Sequence, residues 1–158
     1  MTTVLLLLTT TRETPKTIDY AFRRVREFHG GLEALFVLDP KLAESVFRKL
    51  SQGGFVGEGP CSDLTASLME EYRRRGTQKF KSLAERALRE GVDLKTTVRE
   101  GDAAEECLSV IREQKPEEVI LTRIHQSKLS RFIFSSAAER IRVSAACPVT
   151  VIEESEGA

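Results

Sequence analysis

Hydrophobic residues arrive along this chain in two rhythms, and the switching between them outlines a fold. Val4 to Leu8 is an unbroken apolar run, the mark of a strand covered on both faces. Thr14-Pro15 then supplies an N-cap and a proline suited to the first helical position. Ile18, Ala21, Phe22, Val25 and Phe28 follow at helical spacing, and Gly30-Gly31 closes the segment. Leu35 to Leu38 reads as a second strand and Lys41 to Leu50 as a short helix. The next ten residues, "SQGGFVGEGP" (51–60), hold four glycines and are costly to order. A mobile loop beside the binding cleft is expected there.

A long helix begins near Ser62 or Asp63, with Leu64, Leu68, Tyr72, Phe80, Leu83 and Ala87 on its apolar face and Gly91 as its stop. Val92, Leu94, Thr96 and Val98 alternate as a third strand. Asp102 caps a helix that buries Ala104, Cys107, Leu108 and Ile111, and Val119 to Leu121 forms the fourth strand. Ser136 and Glu139 have the spacing of a capping box for the last helix. Pro148 to Ile152 is the closing strand. The order β-α-β-α-β-α-β-α-β predicts one α/β domain over 1–153: a parallel sheet with right-handed crossovers and helices on both faces, Rossmann-like. Residues 154–158 are expected to be a disordered tail. Ligands of such sheets sit beyond the carboxyl ends of the strands, where the winding reverses. Loops 9–14 and 122–136 are therefore the places to look.

Composition narrows the classes. The 158 residues include 24 basic and 24 acidic side chains, a formal net charge of zero. Global charge gives no reason to expect nucleic acid or an anionic membrane surface as a partner. Three cysteines without metal-type spacing point to neither a disulfide framework nor zinc, and fit a reducing compartment. The N-terminal "MTTVLLLLTTT" has five consecutive apolar residues and no basic residue, too short to span a bilayer. A cytoplasmic location is the expectation.

Candidate chemistry gathers in "EEVILTRIHQSKLSRFIFSSAAERI" (117–141). Strand, loop and helix N-terminus are the parts of a phosphate site. The loop carries Arg123, His125, Lys128 and Arg131 but no glycine, although a phosphate cradle normally needs close backbone approach. Simpler readings stand beside this one. Ser136 is accounted for as an N-cap, His125 as a surface loop residue, and the charges as solvated. "EEYRRRG" (70–76) reads as a solvated helix face with Glu70–Arg74 and Glu71–Arg75 pairs. No P-loop, Gly-x-Ser-x-Gly, Cys-x-x-Cys or His-x-Gly-His motif occurs, so an enzyme is not expected.

Two segments carry a family likeness. "SSAAERIRVSAACPVTVI" resembles the closing helix and strand of the universal stress proteins, and "REGDAAEECL" is similar to their third-strand exit. The resemblance implies strand order 3-2-1-4-5, a role in stress physiology and a dimer. ATP-binding members carry Gly-x-x-Gly, nine residues, then Gly-Ser/Thr after the fourth strand. Those glycines fall here on Thr122, His125 and Ser135, with Ser136 at the hydroxyl position. Only Ser136 agrees. The aspartate that ends strand one in binding members is replaced by Thr9, and a further adenine contact falls near Val37. The resemblance thus implies a degenerate nucleotide site, with no cofactor or only weak ATP or AMP binding. The alternative is a phosphate ligand held by basic side chains, Lys128 and Arg131 among them. The last strand lies at an open edge in that order, so a homodimer through the Val149–Val151 region is expected, with room for a protein partner.

Overall fold

The computed structural model of the chain describes residues 2–9, 14–40, 61–125 and 137–155. The elements are β1 (Thr3–Leu8), α1 (Pro15–Phe28), β2 (Gly31–Leu38), α2 (Cys61–Glu90), β3 (Leu94–Glu100), α3 (Ala103–Gln114) and β4 (Glu118–His125). A helix over 137–144, α4, leads to β5 (Val149–Ser155). The five strands form one sheet in the order β3-β2-β1-β4-β5, and every neighbouring pair is parallel. This is the predicted Rossmann-like architecture.

Alternation along the central strands divides the core into two layers. Val4, Leu6 and Leu8 of β1 join Phe36 of β2 under Phe22 of α1 and Leu83 of α2. Leu5, Leu7, Leu35 and Val37 point the other way, against Cys107 of α3 and Ile141 of α4. Helices α1 and α2 therefore cover one face and α3 and α4 the other. The winding reverses between β1 and β4, which sets the crevice at their carboxyl ends.

Several boundaries differ from the sequence expectation for local reasons. Helix α1 ends at His29, whose φ of 54° takes the left-handed position expected of a glycine. Gly30 serves close approach instead, since a Cβ there would stand 2.1 Å from the Thr2 carbonyl oxygen. Thr14 occupies the N-cap, but its hydroxyl makes no cap bond. Strand β4 continues past Leu121 to His125, paired with β5 throughout.

Strand β5 likewise continues past Ile152 to Ser155. The tail assigned to 154–158 therefore gives up Glu154 and Ser155 to the sheet. The cause is burial: the Glu154 side chain is fixed by bonds into α1 and the residue is 5% exposed. The short helix read at 41–50 and the glycine-rich loop at 51–60 lie outside the described residues. Among the described residues no helix is long and apolar enough to cross a membrane.

Candidate functional site

The crevice beyond β1 and β4 is bordered by Thr9, by the first turn of α1, and by the ends of β4 and β5. Pairing between β1 and β4 stops at Leu6 and Ile120, and the chain ends separate beyond it. Thr9 is half-buried just past β1. Nothing in the first turn of α1 is acidic, so the positive end of its dipole and its free amide groups are open to an outside acceptor.

Glu154 supplies that acceptor from the far end of the chain. Its Oε1 accepts from the Thr17 backbone amide at 2.8 Å and from the Thr17 hydroxyl at 3.2 Å. The Thr122 hydroxyl in turn donates to Thr17 Oγ1 at 2.8 Å. All three residues are buried. The α1 N-terminus, β4 and β5 are thus tied into one chain of hydrogen bonds. The Thr14 hydroxyl, buried in the same turn, has no hydrogen-bond partner among the described residues.

Three basic residues of β4 and α4 are matched by acids. Arg123 reaches Glu153 at 3.5 Å, while its Nε is buried without a partner among the described residues. Arg140 bonds Asp102 at 3.0 Å and lies 3.7 Å from Glu105. Arg142 grips both oxygens of Glu139, at 2.6 and 2.8 Å. Those bonds from Arg142 hold the Glu139 carboxyl below its usual range. The capping box expected of Ser136 and Glu139 falls on Ser136, which lies outside the described residues.

Of the sequence-derived site residues, the structure brings Thr9 and Thr122 to the crevice. Thr122 sits inside β4 rather than in the loop, and its hydroxyl is bonded to Thr17. Val37 is 1% exposed, with its side chain in the core against the α3 side of the sheet. The backbone of His125 closes β4 opposite Ser155. Lys128, Arg131, Ser135 and Ser136 lie outside the described residues.

Two further polar clusters hold the scaffold. At the end of β2, Asp39 accepts from the Ala103 amide at 3.0 Å, and Asp102 accepts from the Glu105 amide at 2.9 Å. Together they cap α3 beside the crevice. At the amino end of β4, the buried Glu118 accepts from Thr150 at 2.6 Å, Arg24 at 2.7 Å and Tyr20 at 2.8 Å. Burial alone would raise the Glu118 pKa, but these three bonds outweigh it and hold the carboxyl below its ordinary value. Burial pushes the Cys107 thiol up to about 12, which makes it a core residue and not a nucleophile.

Sequence reasoning missed Glu154 and Thr17. A signal for the first was present: Thr150, Ile152 and Glu154 share one face of β5 by alternation, and that face meets α1.

Comparison with known proteins agrees with this fold. The model of the Universal stress protein family matches residues 1–153. A universal stress protein of Methanocaldococcus jannaschii is 27% identical over 135 residues, covering 85% of this chain and 72% of that protein. The solved structure of universal stress protein UspA from Lactobacillus plantarum superposes with a TM-score of 0.72 at 15% identity, covering 96% of this chain and 97% of that one. A family member from Arabidopsis thaliana, solved with AMP bound, gives a TM-score of 0.57 at 12% identity over 98% of this chain and 92% of that one. At these identities the solved structures speak for the fold alone.

Proposed function

Because the chain belongs to the universal stress protein family, we propose that it acts in the stress response as a non-catalytic regulatory module with weak or no ATP binding. It works in the cytoplasm as a homodimer, paired through β5 around Val149 and Val151, and its output is contact with a protein partner. One observation carries the reading. Among the described residues, the polar groups on the elements that border the crevice are already engaged: Thr122 and the Thr17 amide in the Glu154 network, Arg123, Arg140 and Arg142 with carboxylates. A ligand would have to break these contacts before forming its own.

The test is to denature the purified protein and seek released adenine nucleotide by mass spectrometry. No stoichiometric nucleotide is the expected result. A full equivalent of ATP per chain would overturn the reading.

A second reading is favoured by the AMP-bound relative: a nucleotide held by His125, Lys128 and Arg131. Loss of bound nucleotide in a Lys128→Ala, Arg131→Ala variant would support it.

A further inference from the structure

We infer that Glu154 is a built-in anion that occupies the N-terminus of α1 and selects against phosphate-bearing ligands in the switch-point crevice. The inference rests on the family reading above and names the residue that sets its ligand class. A helix N-terminus facing such a crevice is a ready seat for phosphate, with free amides and a positive dipole end. In α1 no residue of the first turn is acidic and the Thr14 side chain makes no cap bond. The seat is filled instead by a carboxylate placed 137 residues away in sequence.

Three features mark this as a filled ligand position and not an ordinary local cap. The carboxylate binds both the amide and the hydroxyl of Thr17, the pair of donors a phosphate oxygen would use. Thr122, from the strand across the crevice, joins through the same hydroxyl. The other hydroxyl in that turn, Thr14 Oγ1, is buried with no hydrogen-bond partner among the described residues, although buried polar groups are nearly always satisfied. The turn thus holds more donors than Glu154 alone engages. With the Glu154 carboxylate 5% exposed, a second anion brought to the same amide meets like charge in a weakly screened site. A neutral nucleoside meets no such barrier.

Glu154→Gln tests this, because the amide oxygen still accepts from Thr17 while the charge is gone. ATP and adenosine are titrated separately into wild type and variant by calorimetry. The expected result is a gain of about tenfold or more in ATP affinity, with adenosine affinity unchanged. An unchanged ATP affinity in a folded variant overturns the inference, as does an equal gain for adenosine. The ratio between variant and wild type judges this inference. The absolute wild-type affinity judges the family reading, so the two fail separately. Should the variant not fold, the Thr17 amide resonance of wild type decides. It should not move on titration with sodium pyrophosphate to millimolar concentration, and a saturable shift below that range refutes the inference.

Discussion

Gly76 of α2 lies against the ring of Phe36 so closely that a Cβ would stand 2.9 Å from Phe36 Cε1. Glycine inside a helix ordinarily costs about 1 kcal/mol relative to alanine, so Gly76→Ala should stabilise an isolated helix. Here the Phe36 ring is itself held, edge-on to Phe80 with centroids 6.3 Å apart. We expect Gly76→Ala to destabilise the protein by about 1–3 kcal/mol in urea unfolding, the usual cost of overpacking a core. Phe36→Leu in the same chain should recover part of that loss. Stabilisation by the alanine alone would contradict the packing described.

Glu118 should give the protein a defined acid sensitivity. Its folded pKa is lowered, so its contribution is complete above the unfolded value of about 4.3 and is lost as pH falls through the folded value. Glu118→Gln is expected to cost about 2 kcal/mol near pH 7, the scale of hydrogen bonds to a charged group. Chemical denaturation at pH 7 and pH 3 should show the gap between variant and wild type narrowing in acid. A gap that widens in acid would reverse the sign argued here.

Strand β5 is an edge, and its Val149 and Val151 side chains remain partly exposed. Exposed apolar edges invite pairing. Light scattering at micromolar concentration should report a dimer for wild type and a monomer for Val151→Lys. A wild-type monomer would count against the assembly, and a dimer indifferent to Val151→Lys would put the interface elsewhere.

The order of elements was legible because each buried strand and amphipathic helix repeats its signal over many residues. Ends were less so. The left-handed caps at His29 and Lys115 carry no glycine to announce them; local backbone bonds to Arg26 and Ile111 close those turns. Charge pairing on α2 shifted in part: the expected Glu71–Arg75 pair forms at 2.9 Å, but Arg74 also joins Glu71, at 2.6 Å, and Glu70 faces Arg73 at 3.8 Å. The two guanidinium groups hold the Glu71 carboxyl at about 2. Spacing alone could not choose between i,i+3 and i,i+4 partners, which are equally near on a helix. At the site, Thr9 and Thr122 could be placed from their distance to strand ends. The Glu154–Thr17 contact could not, because it joins opposite ends of the chain and depends on β5 running two residues further than its apolar run.

The central claim is that the nucleotide crevice of this family member is degenerate, and calorimetric titration of the wild-type protein with ATP tests it most directly. Breaking the contacts that hold Thr122 and the Thr17 amide costs about 2–3 kcal/mol, which set against a micromolar site places the dissociation constant above roughly 100 μM. A value in that range, or no measurable heat, is the predicted result. Saturable binding at low micromolar concentration would contradict it.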